Sequence, residues 1–209
     1  MSGRGALIVV EGIDRSGKTT QCAKLVSALL SQGHKVEVMK FPDRTTETGK
    51  MIDAYLQRDQ TLDDHVVHLL FSANRWEQCS NMLENLHKGV SLIVDRYAYS
   101  GAAYTSAKQG FTLDWCKNPD KGLPDPDLVL FLNLSSKEAE SRGGYGEEIY
   151  EKVEFQKKVH NNFLQLKSKQ WKVIDASQSE ENVHREMLNN VNSVIENVKG
   201  QQIGKLWLD

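Results

Sequence analysis

Cysteine is scarce: three in 209 residues, Cys22, Cys79 and Cys116. They are odd in number and widely spaced, without a CxxC or Cys/His pattern. That excludes a disulfide framework or a structural zinc site and predicts free thiols in a reducing compartment. Proline is scarcer still for the length, at 4, while apolar residues are 39% and charged residues 26%. This composition excludes collagenous, disordered and low-complexity chains. No sign of charge dominates, because Lys+Arg 26 against Asp+Glu 28 leaves a net charge of −2. Nothing global therefore points to nucleic acid or an anionic membrane. Long hydrophobic runs are missing too. The first apolar stretch, Ala6 to Val10, is interrupted by Glu11 and is too short for a secretory segment or a membrane span. A soluble cytoplasmic protein is expected, with nuclear entry left open. There is no internal repeat and no linker long enough to divide the chain, so residues 1–209 read as one domain.

What is present is an alternation. Ala6–Val10, Val36–Phe41, Val90–Val94, Leu128–Leu132 and Trp171–Ile174 are short apolar runs of the kind expected for strands buried on both faces. Between them, residues 18–32, 48–57, 63–87, 151–168 and 180–198 carry apolar residues at helical spacing, with Gly33 placed to stop the first helix. Strands alternating with helices predict an α/β fold with right-handed crossovers. Two stretches look irregular. Residues 117–126 (KNPDKGLPDP) hold three of the four prolines and predict a rigid loop, and 141–150 (SRGGYGEEIY) reads as a mobile flap.

The first run leads into Gly12-Ile13-Asp14-Arg15-Ser16-Gly17-Lys18-Thr19 and then directly into a helix. In such a GxxxxGK[ST] loop the backbone N–H groups converge on phosphate oxygens and the helix N-terminus adds partial positive charge. Lys18 would reach the β/γ phosphates and Thr19 would ligate Mg²⁺. The NKxD tetrapeptide that reads guanine is absent, which favours ATP. Asp14 is anomalous, since a carboxylate inside an anion-binding loop repels phosphate unless it faces a hydroxyl or caps the loop. Both readings stand at this point. Arg15 adds a second cation within reach of the transferred group.

Ser91–Asp95 is an apolar strand ending in a carboxylate, the Walker B arrangement that positions Mg²⁺, and Arg96 follows at once. Lysines outnumber arginines 18 to 8, yet Arg15, Arg44, Arg75, Arg96 and Arg142 each fall beside a motif or strand end. Planar bidentate contacts to phosphate need arginine, whereas a solvated surface is satisfied by lysine. Arg58 and Arg185 read instead as helix-surface ion pairs. Phe71 and Arg75 share one helical face, offering a ring to stack on a base and a fork for its carbonyl, although Phe71 could equally be core. His65 and His68, three apart, read as ordinary helix residues, because no third metal ligand lies at sensible spacing.

The segments EGIDRSGKTTQ, FPDRTTETGK, LLFSANRWEQ, VDRYAYSGAAYTSAK, GLPDPDLVLFL and RGGYGEEIYE together resemble the thymidylate kinase family, its eukaryotic and poxviral branch, in order and across nearly the whole chain. The resemblance implies a P-loop nucleoside-monophosphate kinase: a five-stranded parallel sheet flanked by helices, a lid at about 136–151, and a homodimer. It implies transfer of the γ-phosphate of ATP to dTMP with Mg²⁺, giving dTDP and ADP on the way to dTTP. It assigns Arg15, Ser16, Gly17, Lys18, Thr19, Thr20, Arg142 and Gln178 to ATP, with relatives differing near Gln178. It assigns Asp14 to the deoxyribose 3′-OH, Arg44 and Arg96 to the dTMP phosphate, Phe71 to stacking, and Arg75 and Thr105 to the pyrimidine edge. Phe41 joins the dTMP side, Tyr104 crowds the sugar 2′ position, and Tyr150 and Gln156 close over the nucleoside. Arg15, Lys18, Asp95 and Arg96 form the catalytic set, and Thr19 and Asp95 the metal ligands. Bacterial relatives carry the catalytic arginine in the lid; here it lies in the loop, which leaves Arg142 a secondary role. A deoxynucleoside kinase, needing a carboxylate base, and a non-catalytic nucleotide switch are the rival readings.

Overall fold

The computed structural model describes residues 3–142 and 149–208. Its centre is a five-stranded, all-parallel sheet of β1 (Leu7–Glu11), β2 (Val36–Lys40), β3 (Ser91–Asp95), β4 (Leu128–Asn133) and β5 (Trp171–Asp175), in the order β2-β3-β1-β4-β5. The helices are α1 (Lys18–Ser31), α2 (Glu47–Leu56), α3 (Asp64–His87), α4 (Ala98–Thr105), α5 (Leu113–Lys117), α6 (Ser136–Glu140), α7 (Val153–Leu166) and α8 (Glu180–Asn197). After β1 the chain crosses to the edge at β2, returns inward to β3 beside β1, and then passes to the other side of β1 for β4 and β5. The carboxyl ends of β1 and its neighbours β3 and β4 therefore open on a shared crevice, where ligands of open α/β sheets bind.

The three inner strands are buried on both faces, as their unbroken apolar runs require. The two edge strands depart from that expectation. β2 and β5 bury only some positions, leaving Val38 54% and Val173 38% exposed, because each has a neighbour on one side alone. The first helix ends as expected: Gly33 takes φ 83, and the N–H groups of Gly33 and His34 return to the carbonyls of Leu30 and Leu29.

Three elements escaped the periodicity. α4 is apolar or small nearly all round and buried at almost every position, so it shows no stripe. The stretch 117–126 is not wholly a loop, since α5 runs into a 3₁₀ turn at Asn118–Asp120. α6 is opened by a reciprocal capping box between Ser135 and Glu138, a signal present in the sequence. Part of the 136–151 lid and of the 141–150 flap, residues 143–148, lies outside the described residues.

Candidate active site

The phosphate loop begins where β1 ends. Gly12 adopts φ 152, and a Cβ there would meet Ser16 Oγ at 2.6 Å and the Leu132 carbonyl at 2.8 Å, so only glycine fits. Gly17, at φ 94, stands at the N-cap of α1 without a side-chain cap, leaving the first helical N–H groups for an anion. Lys18 is buried and folds back, its Nζ donating to the Ile13 carbonyl (2.6 Å) and Ser16 Oγ (3.3 Å). Burial and the nearby Arg96 press its pKa down to about 8 against the opposing pull of Asp14 and Asp95. Thr19 Oγ1 donates to Asp95 Oδ2 at 2.5 Å, while Asp95 Oδ1 is buried without a hydrogen-bond partner among the described residues.

Arg96 follows β3 in the left-handed region, φ 68. One end of its guanidinium donates to Asp14, and Nη1 reaches the Gly12 carbonyl (3.3 Å), Ser100 Oγ (3.3 Å) and Tyr104 OH (3.4 Å). Asp14 is thus not a cap of its own loop. Its second oxygen accepts from Gln156 Nε2 at 2.6 Å, and its N–H donates to Gln156 Oε1 at 3.1 Å. Burial works to raise the Asp14 pKa, but Arg96 and Lys18 outweigh it and hold the carboxyl below its ordinary range. Gln156 is fully buried behind Asp14 and also ties down the Tyr150 carbonyl (2.9 Å).

A residue that the sequence reading passed over supports this corner. Glu11 is wholly buried and accepts from the N–H groups of Tyr97 (2.9 Å) and Ser100 (3.0 Å) and from Ser100 Oγ (2.6 Å). It caps the start of α4 and so holds the turn carrying Arg96. Burial raises its pKa against the pull of Ser100 and Arg96.

On the far side, Arg75 is not an open fork. It is buried and bidentate to Asp120, Nε–Oδ1 3.0 Å and Nη2–Oδ2 2.6 Å, and the Ser72 hydroxyl supports the same carboxylate at 2.8 Å. Phe71 is half-buried beside it. Thr105 Oγ1 lies 2.9 Å from His68 Nδ1, and His68 Nε2 lies 2.9 Å from the Cys116 carbonyl. His65 instead pairs with Asp63, so the two histidines do not converge; among the described residues no group of three His, Cys, Asp or Glu could hold a metal ion. Phe41 packs on Tyr97 at 5.9 Å, and Arg44 pairs with Asp53 at 2.6 Å.

Arg15 and Arg142 meet at one place. Arg142 donates to the Arg15 carbonyl and the Ala176 carbonyl, both at 2.9 Å, while the Arg15 side chain pairs with Glu151 at 3.0 Å. Both flanks of residues 143–148 are therefore attached through Arg15. Arg185 donates to Asn182 (2.7 Å), a helix-surface contact, and among the described residues it makes no ion pair of the expected kind.

These groups surround one cavity of about 790 Å³ at the carboxyl end of the sheet, and every expected site residue lines it except Gln156. It extends from Thr20 and the exposed Gln178, past Lys18 and Arg96, to Phe71, Arg75, Thr105 and Tyr150. The sheet order, the glycine loop entering α1 and the strand-end aspartate define the class: a P-loop nucleotide-binding enzyme of the nucleoside-monophosphate kinase type. The sequence profile described as thymidylate kinase matches residues 10–187. The chain is 53% identical to the thymidylate kinase of Danio rerio and 51% identical to that of Homo sapiens, in each case over 98% of both chains. The solved thymidylate kinase of Candida albicans superposes with a TM-score of 0.87 at 38% identity, covering 98% of this chain and 99% of that one. The chain belongs to the thymidylate kinase family. Its three cysteines are free, and no described helix is long and apolar enough to cross a membrane.

Proposed function

We propose that the chain transfers the γ-phosphoryl group of ATP to dTMP, yielding ADP and dTDP on the route to dTTP. One observation carries the choice of acceptor. The carboxylates lining the cavity are tied to neighbours, Asp14 to Arg96 and Gln156, Glu151 to Arg15, Glu180 to Lys24 and Asp95 to Thr19 through Oδ2, with Asp95 Oδ1, the oxygen left for a metal ion below, as the one open position. A neutral 5′-hydroxyl would need one of them as a base. A phosphomonoester is already an anionic nucleophile and needs only alignment and charge neutralisation. That argues against the deoxynucleoside kinase.

In this reading Ser16, Gly17, Lys18, Thr19 and Thr20 take the ATP phosphates, and Gln178 and Arg142 flank the base end. Arg15 neutralises charge on the transferred group, and Arg96 bridges donor and acceptor. Arg44 meets the dTMP phosphate, Asp14 the 3′-OH, Tyr104 the 2′ position, and Phe41, Phe71, Arg75, Thr105 and Tyr150 the nucleoside. Gln156 acts by holding Asp14. The orphaned Asp95 Oδ1 beside Thr19 suits a small hard cation that keeps most of its water, so Thr19 and Asp95 would hold Mg²⁺. When bound, that ion supplies further neutralisation of the phosphates.

Residues 1–209 act as one kinase domain with a lid at about 136–151, working in the cytoplasm, a reading that the free thiols support. Val66, Leu69 and Trp76, exposed by 40% or more along one side of α3, support a homodimer. The test is ADP release with dTMP, dUMP, UMP, AMP and thymidine. Preference for dTMP is expected; faster turnover of thymidine would make the chain a nucleoside kinase, and no turnover would leave a binding protein.

A further inference from the structure

His68 does not line the cavity, yet it governs a group that does. Its Nε2 faces a main-chain carbonyl, that of Cys116, at 2.9 Å. A carbonyl oxygen only accepts, so Nε2 carries the hydrogen. The ring is fully buried and packs against Trp115 at 5.1 Å. Burial first, and the neighbouring Arg75 second, bring its pKa down to about 4, which keeps it neutral at pH 7. A neutral imidazole protonated at Nε2 has a lone pair at Nδ1. The Thr105 hydroxyl, 2.9 Å away, must then donate its one hydrogen to His68. What Thr105 has left for the cavity is lone pairs alone.

The adjacent group has the opposite polarity. Arg75 lies across Gly101, one helical turn before Thr105 on the same face of α4, where a Cβ would come within 2.8 Å of Nη2. With Nε and one hydrogen of Nη2 held by Asp120, the guanidinium can only donate, through Nη1 and the remaining Nη2 hydrogen.

We propose that His68 is a positioning residue that makes Thr105 an obligate acceptor, so that Arg75 and Thr105 together select a pyrimidine with a 4-oxo group and an N3–H. Thymine and uracil match that donor–acceptor pair. Cytosine reverses it at both atoms, presenting an amino group to the arginine and a lone pair to the threonine. Buried polar groups left facing like groups are rejected far more strongly than a missing methylene. The inference rests on the reading that Arg75 and Thr105 face the acceptor's base.

The test is the ratio of kcat/KM for dTMP to that for dCMP, taken on one preparation so that loss of folded protein cancels. His68→Phe keeps the ring packing and frees the hydroxyl to rotate; the ratio should fall by roughly tenfold or more. Thr105→Val should lower it similarly, Thr105→Ser should retain it, and the double variant should fall no further than Thr105→Val. If His68→Phe slows both substrates equally, the role is structural and the proposal is overturned. Ring ¹⁵N shifts of wild-type His68, assigned by their loss in His68→Phe, should show hydrogen on Nε2 only; hydrogen on Nδ1 would also overturn it. A wild type inert toward dTMP would remove the functional reading and this inference together, whereas an active wild type with an unmoved ratio removes this inference alone.

Discussion

Replacing Asp120 by alanine would leave Arg75 as a buried guanidinium with its counter-ion gone. The pair is only 2% and 0% exposed, against 61% and 89% for the surface pair Lys50–Glu47, so solvent cannot substitute for the lost partner. Removing one member of a buried pair costs about 3–5 kcal/mol, most of it the desolvation of the charge left behind. The Ser72 hydroxyl loses an acceptor in the same change. For a chain of this size each kcal/mol lowers Tm by about 2–4 °C, so a fall of about 6–20 °C is expected. Urea unfolding of the free enzyme measures the free energy directly, and steady-state kinetics should show KM for dTMP rising more than KM for ATP. Asp120→Asn, which keeps an acceptor but not the charge, should fall between. Replacing Arg75 and Asp120 together by leucine should restore much of the stability while leaving dTMP binding poor, since apolar pairs often substitute for buried ion pairs at little cost. A loss below about 1 kcal/mol for Asp120→Ala would show that Arg75 has another buried counter-charge, and the account of the base-side wall would fail.

Gly101→Ala should destabilise by about 1–3 kcal/mol despite the better helix propensity, and raise KM for dTMP roughly tenfold, because the new Cβ would press on an arginine that Asp120 prevents from moving aside; an unchanged KM would refute this. Lys18 titrates from 10.5 in the open chain down to about 8 in the fold. Between those values the unfolded chain binds the extra proton, so this group's penalty on the folded state is full below about pH 8 and is relieved as pH rises toward 10.5. Bound phosphates favour the ammonium, so ATP should take up a proton near pH 8.5 and bind more weakly as pH rises further. Calorimetry in buffers of different ionisation enthalpy reads that uptake, and a buffer-independent heat would contradict it.

The legible parts of the site share one property: their chemistry is encoded in contiguous residues. The loop from Gly12 to Thr19 must have glycines at fixed places, a strand must end in Asp95, and arginines must stand where phosphates arrive, so spacing alone brings out Lys18, Thr19 and Arg96. The inner strands were legible for a related reason, since burial on both faces writes an unbroken apolar run. The all-buried α4 was missed because a helix apolar all round shows no stripe, and edge strands β2 and β5 were misread as buried on both faces because an apolar residue such as Val38 or Val173 can also lie exposed.

Glu11, Asp120 and His68 belong to a different category. Each acts on a residue far along the chain: 89 positions separate Glu11 from Ser100, 45 separate Asp120 from Arg75, and 37 separate His68 from Thr105. None has a residue type that marks it, for an acid after a strand, an acid in a proline-rich stretch and a histidine on a helix all have ordinary explanations. Their significance comes from being buried, which forces each polar atom to find one partner and forbids water from replacing it. A motif can thus supply an arginine or a hydroxyl, but which way that group donates is decided by the buried partner behind it. In the proposed reading, the direction in which Thr105 points its proton decides the base as much as the presence of Thr105 itself.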